Sequence, residues 1–293
     1  MRWIEHYRSR VKSAEEALAV VKSGNRVHVH QGCSEPEVLV KALLTRAPGL
    51  RDVEIIHLAT MGLADYARPE YEGHFRHVAF FIGSNVRAAV QEARADYIPI
   101  FLSEIEGLFK SGAMPIDVAL LQCSPPDDYG YMSLGAGVDI AMTAAQCARH
   151  VIVEVNDQAP RTLGDSFIHV SKAEAIVEAS HPLCEYQQAP VTDVHRAVAR
   201  NVASLIPDAA TLQMGIGEIP EAVLGALGGH KDLGVHSEMV PDGIVDLIQA
   251  GVVNNEKKSI HPHKVIAGFV LGTKRLFDFI HDNPIFEFHP TSY

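Results

Sequence analysis

No run in this 293-residue chain is apolar over the length needed to cross a bilayer, and Met1-Arg2-Trp3-Ile4-Glu5-His6 carries no apolar signal region. A cytoplasmic protein with no membrane partner is expected. Cysteine is scarce: Cys33, Cys123, Cys147 and Cys184 have neither CxxC nor zinc-like spacing, which argues against a redox pair and for free buried thiols. A basic stripe with interleaved aromatics is also missing, and with a formal charge of −11 the chain is a poor match for nucleic acid. Histidine is plentiful, at sixteen, but there is no HExxH and no local carboxylate triad. The pairs His28/His30 and His261/His263 are therefore not expected to hold a metal.

What is present is a globular composition, 47% hydrophobic and 21% charged, in a chain long enough for two lobes. Strands are expected over 25–30, 52–58, 77–82, 116–122 and 150–155, all rich in Val and Ile. Helical stretches alternate with them at 37–44, 85–95 and 138–148. Such alternation predicts an α/β fold with a mainly parallel sheet and helices on both faces. The softer stretch from His181 to Pro190 predicts a boundary, giving an N-terminal α/β domain over 1–190 and a second over 191–293. That second lobe is expected to hold a helix at 194–205 and strands near 210–214, 232–236, 264–271 and 285–288. About a hundred residues are few for an α/β lobe covered on both faces, so it is expected to be incomplete.

The chemistry-bearing residues gather in the second lobe. Ala210 to Leu224 reads as strand, glycine turn and helix, with Pro220 near the first helical turn. Gly215 and Gly217 would let the backbone pass close to a ligand, and the helix start favours anionic or carbonyl oxygens. The third glycine of the dinucleotide fingerprint is missing, so NAD is not expected. Further on, Asp232 to His236 reads as a strand and Asp242 to Ile248 as a helix, which places Glu238 in a strand-to-helix loop, where open α/β sheets bind their ligands. His236 lies beside it and is as readily structural.

Taken with the first half, these segments resemble a known family. Gln213-Met214-Gly215-Ile216-Gly217-Glu218-Ile219-Pro220 and Gly234-Val235-His236-Ser237-Glu238-Met239 are similar to the core of the acetyl-CoA hydrolase/transferase family. Gly83-Ser84-Asn85-Val86-Arg87, the stretch from Asp117 to Asp127, and Glu154-Val155-Asn156 through Ser166 match family segments in the same order. The resemblance covers the whole chain and implies two lobes of CoA-transferase type. It also implies that Glu238 is the nucleophile that carries CoA as a glutamyl thioester, and that Gly215, Ile216, Gly217, Glu218 and Ile219 contact CoA. Family members continue beyond the point matching Tyr293 with a second glycine-rich segment, so this chain is expected to be a fragment or to borrow the missing strands.

By residue type, Gln213 and the amides near Gly215 and Gly217 are candidates to stabilise an oxyanion. Gln31, Glu35, Ser84, Asn85 and Arg87 are candidates to hold a substrate carboxylate, Arg87 by its forked donor. Arg161, Lys257 and Lys258 are further candidates for attracting anions, and Asn156 is a weaker one that is as readily a residue ordering its loop. The implied partners are an acyl-CoA and a short-chain acid of the acetate, butyrate or 4-hydroxybutyrate type, with no permanently bound cofactor, no metal and a homodimeric assembly. Three alternatives stay open at this point: an acyl-CoA hydrolase on the same site, a metal-dependent hydrolase, and a non-catalytic ligand-binding lobe.

Overall fold

The computed structural model describes residues 2–293. Its first half contains strands β1 (Arg26–Val29), β2 (Val53–His57), β3 (Phe75–Ala79), β4 (Ala95–Tyr97), β5 (Val118–Cys123), β6 (Tyr131–Ser133), β7 (His150–Asn156), β8 (Phe167–His169) and β9 (Ala175–Ala179). Seven of these form one sheet in the order β4-β3-β2-β1-β5-β7-β9, and every adjacent pair is parallel. β6 and β8 make a separate antiparallel ribbon. Strand β5 explains why these segments read as unbroken apolar runs. Its Val118 and Leu120 join a core with Val27, Ile55 and Leu39 of the helix Glu37–Thr45, whereas Ala119 and Leu121 join another with Val153 and Ala141 of the helix Ala141–Cys147. Successive side chains point to opposite faces, so a sheet covered on both sides needs apolar residues at every position.

The second half holds β10 (Thr211–Leu212), β11 (Gly234–Pro241), β12 (Val265–Leu271) and β13 (Phe286–Phe288), parallel and in that order. Residues 180–191 connect the two sheets without regular structure. The sheets share one apolar interior, to which Leu121 and Val153 of the first and Met239 and Phe269 of the second all belong. Backbone hydrogen bonds reinforce this: Val138 and Asp139 donate to Gly268 O at 3.0 and 3.2 Å, Val270 donates to Ala136 O at 2.8 Å, and Phe288 donates to Leu163 O at 2.8 Å.

Several elements depart from the sequence expectation. Glu238 is not in a loop: β11 continues through Pro241, because Met239, Val240 and Pro241 pair with Phe269, Val270 and Leu271. The helix expected over 85–95 is confined to Arg87–Gln91; Ala93 takes a left-handed φ of 59° and Ala95 opens β4. The helix expected from 138 begins at Ala141, since Gly137 and Asp139 form isolated bridges with Phe269 and Pro290 that hold this segment out of the helix. Strand β9 and the helices Arg2–Arg10, Leu102–Lys110 and Lys274–Ile280 were not anticipated. Cys33 and Cys123 are buried, but Cys147 and Cys184 are only half-buried; none of the four is in a disulfide. Among the described residues, no helix is long and apolar enough to cross a membrane.

Candidate active site

Strand order in the first sheet reverses at β1, which has β2 on one side and β5 on the other. Ligands of open α/β sheets bind outside the carboxyl ends of strands at such a point. A cavity of about 770 Å³ lies there. Gln31 follows β1, Thr60 follows β2, the Phe80 to Arg87 loop follows β3, and Tyr97 ends β4; Ile216, Glu238 and Phe269 face them from the second sheet.

Within β11 the burial pattern breaks at Glu238, the one exposed residue of an otherwise buried or half-buried strand. Its neighbour Ser237 is buried and has a different task. Ser237 Oγ accepts from the Met214 amide at 2.9 Å and lies 3.2 Å from Met214 O and 2.7 Å from Met239 O. This hydroxyl therefore ties the start of the glycine turn to the strand that carries Glu238. Partial burial raises the pKa of Glu238 above the ordinary glutamate value. A carboxylate with fewer waters around it is a better nucleophile as long as it is ionised.

The glycine turn leads into the helix Glu218–Ala226, with Gly217 at φ 123°, a conformation that L side chains rarely adopt. Gly215 is less constrained: a Cβ there would meet only Pro220 Cγ at 3.7 Å. Of the turn, Ile216 lines the cavity, whereas Gln213, Gly215, Gly217, Glu218 and Ile219 do not. Gln213 is exposed to solvent.

In the first lobe, Gln31, Ser84, Asn85 and Arg87 all line the cavity with Glu238. Asn85 donates to Thr60 O at 3.1 Å and Gly62 O at 2.8 Å, so part of its capacity goes to holding two loops together. Arg87 is the only arginine or lysine among the described residues that line the cavity. Glu35 instead lines a smaller neighbouring cavity with Glu37, Met61 and Cys184. Burial, opposed by the Thr60 hydroxyl and reinforced by nearby carboxylates, pushes its carboxyl up to about 7.

Other candidates have structural partners. Arg161 is paired with Asp282 at 2.7 Å and Asp127 at 3.3 Å. Lys258 is buried, and its ammonium donates to Val235 O at 2.7 Å and Lys264 O at 2.6 Å. These carbonyls take the place an anion would need, and desolvation lowers its pKa to about 8. Lys257 is exposed and does not line the cavity. Asn156 donates to Gln122 Oε1 at 2.6 Å and His181 O at 2.9 Å, ordering its loop. His28 and His30 are buried in β1 and just after it, and burial pushes them down to about 3 and about 4. His236 is half-buried and lines, with Glu238, His289 and Tyr293, a second recess that shares Glu238 with the larger cavity. Two residues of the site were not singled out from sequence: Ser237, and Asp139, which is buried in the cavity wall and coupled electrostatically to Glu238.

Two parallel sheets with a carboxylate of one projecting into a cavity built on strand ends of the other define an α/β enzyme site. The comparisons narrow the class. Residues 1–185 match the acetyl-CoA hydrolase/transferase N-terminal domain. Over all of its 293 residues the chain is 47% identical to the 4-hydroxybutyrate coenzyme A transferase of Clostridium kluyveri, of which it spans 68%. A crystal structure of 4-hydroxybutyrate CoA-transferase from Porphyromonas gingivalis, 37% identical, superposes with a TM-score of 0.88 over 99% of this chain and 70% of that one. RipA from Yersinia pestis, 30% identical, superposes with a TM-score of 0.96 over 100% of this chain and 70% of that one. The chain belongs to the acetyl-CoA hydrolase/transferase family and spans about two thirds of the length of these relatives.

Proposed function

We propose that this chain carries the nucleophile of a CoA-transferase that moves CoA between an acyl-CoA and a short-chain carboxylate. The observation that carries the reading is the position of Glu238, an exposed carboxylate on an otherwise buried strand, facing a cavity large enough for an acyl group and its thioester. The Glu238 carboxylate attacks the thioester carbonyl, giving a mixed anhydride and CoA thiolate. The thiolate attacks the glutamyl carbonyl, forming the glutamyl-CoA thioester and releasing the first acid. A second carboxylate reverses both steps and leaves as the new acyl-CoA. One activated bond is exchanged for another, so neither ATP nor a metal takes part in these steps.

Each tetrahedral step needs donors aimed at the developing oxyanion. Neither Gln213 nor most of the Gly215 to Ile219 turn lines the cavity; Ile216 does, so the turn amides beside it are proposed for this role ahead of the Gln213 side chain. The same turn is proposed to approach CoA, while Gln31, Ser84, Asn85 and Arg87 face the acid. Glu35 is proposed to support this wall through Thr60. We also infer an N-terminal domain over 1–190 and a second beginning at 191, and a homodimer on the prevalence of symmetric assemblies.

The test is to express the chain with whatever coding sequence follows Tyr293 and incubate it with acyl-CoA in the absence of an acceptor acid. The peptide holding Glu238 should gain the mass of CoA, and borohydride should reduce that thioester and inactivate the enzyme. Turnover without any adduct on this peptide would overturn the reading. Rapid loss of the adduct to water would favour a hydrolase instead.

A further inference from the structure

Gln31 and Asp139 are joined through only half of their polar atoms. Gln31 follows β1, Asp139 leads into the helix Ala141–Cys147, and the two lie 108 residues apart in sequence. Both are buried, with 2% and 1% exposure, and both wall the cavity that Glu238 faces. The Gln31 amide nitrogen donates to Asp139 Oδ1, which also accepts from the backbone amides of Ile140 and Ala141. The other two oxygens, Gln31 Oε1 and Asp139 Oδ2, are buried with no hydrogen-bond partner among the described residues. An acceptor left without a donor in a protein interior is costly. A proton on Asp139 Oδ2 turns that oxygen into a donor, and the oxygen of the already paired Gln31 amide is an acceptor that lacks one, so a single proton can remove both deficits.

We propose that Gln31 and Asp139 form an amide–carboxylic acid pair in which Asp139 remains protonated, so that no fixed negative charge stands beside the glutamyl thioester of Glu238 when a carboxylate acceptor enters. The inference rests on the transferase reading of Glu238 and makes Asp139 a positioning residue, since it acts through the charge that the entering acceptor meets at the glutamyl thioester. Burial pushes the Asp139 carboxyl up; the Ala141, Ile140 and Gln31 donors oppose this, the Glu238 charge adds to it, and the result is about 7. The other titratable groups around the pair do not replace that proton. His30, next to Gln31, is held at about 4 by burial. Glu106, on the helix packed against that of Asp139, is bound to Thr143 and Lys110. His289, after β13, pairs with Asp165 at 2.9 Å.

The experiment measures kcat/KM for a carboxylate acceptor from about pH 6 to about pH 9 on the turnover-competent enzyme, with neutral hydroxylamine as a second acceptor for the glutamyl thioester. Wild-type transfer to the carboxylate should fall by up to about tenfold per pH unit above about 7, while discharge by hydroxylamine should not. Asp139→Asn keeps a neutral group at this place and should retain the low-pH rate while losing the fall. A fall that persists in Asp139→Asn, or one shared by both acceptors, overturns the proposal. Should that variant fail to fold, the wild-type comparison of the two acceptors decides alone. Failure to form any glutamyl thioester would sink the transferase reading instead. The pair would then be read directly by infrared spectroscopy, where a protonated-carboxyl band near neutral pH that disappears above it supports the pair and its absence refutes it.

Discussion

The backbone amide of Asp139 donates to the carbonyl of Gly268 at 3.2 Å. Asp139 belongs to the wall built on the first sheet, and Gly268 lies in β12, alongside the part of β11 that holds Glu238. A Cβ at residue 268 would stand 3.1 Å from Glu238 O and 3.7 Å from Asp139 Cβ. The spacing between the nucleophile candidate and the opposite wall is thus set by a position that has no side chain.

Gly268→Ala tests that spacing directly. The backbone neighbours must give by a few tenths of an ångström, which should cost about 1–2 kcal/mol of stability. Transfer should fall more than stability does, by about ten- to a hundredfold in kcat/KM, because small displacements of a reacting group are expensive. Denaturant midpoints and steady-state rates on the same preparation separate the two effects. Wild-type turnover in a folded Gly268→Ala protein would mean that the wall and the nucleophile are not coupled through this glycine.

A second test concerns the glycine turn. Gly217 has φ 123°, and a Cβ added there meets nothing within 4 Å, so Gly217→Val acts through backbone strain and not through a clash inside the protein. That strain costs about 1–3 kcal/mol if the native conformation is kept, and the new side chain would also block backbone approach to CoA. CoA affinity measured by calorimetry should weaken in Gly217→Val, with Gly215→Ala milder in stability. Unchanged affinity in a folded Gly217→Val protein would remove the turn from the CoA site.

The parallel α/β architecture was legible because strands buried on both faces must be apolar throughout, as in Val118 to Cys123, and because helical stretches lie between them. The end of β11 was not legible. Ser237 and Glu238 are polar and look like the start of a loop, yet Met239, Val240 and Pro241 keep pairing with residues of β12, and such pairing between distant segments leaves no local mark. Ser237 and Asp139 were missed for a related reason. One reaches back 23 residues to Met214 and the other meets Gln31 across 108. Conversely, Arg161 and Lys258 looked available as anion donors because sequence does not reveal the carboxylates and carbonyls that already engage them.

Acid should loosen the junction between the lobes at Glu106. Burial alone would raise the pKa of this carboxyl, but donors on Lys110, Thr143, Thr291 and Ser292 outweigh it and hold the group at about 2. A folded pKa below the unfolded value adds stability that is fully present above the unfolded pKa and is lost as pH falls through the folded one. The loss should therefore begin near pH 4.5 and be complete near about 2. Glu106→Gln should be less stable than wild type at neutral pH, with the gap closing across that window. A gap that stays constant as the pH is lowered would show that the carboxylate charge contributes nothing there.

The last prediction bears on Glu238 itself. Glu238→Gln preserves the shape of the side chain and removes the nucleophilic carboxylate, so CoA transfer should drop to near background while the fold and its denaturation midpoint stay close to wild type. Because Glu238 is exposed in the cavity and not part of the core, loss of activity in this variant is not expected to come from unfolding. Glu238→Asp keeps the charge but withdraws it by about 1 Å, a displacement that should cost about a hundredfold or more in rate. The two variants also separate chemistry from binding. If Glu238 acts as the nucleophile, Glu238→Gln should still bind acyl-CoA, since the proposed CoA contacts lie in the glycine turn, but should form no covalent adduct. If Glu238→Gln transfers CoA at the wild-type rate, with reversion by deamidation excluded by mass spectrometry, the nucleophile lies elsewhere and the covalent mechanism assigned to Glu238 is wrong.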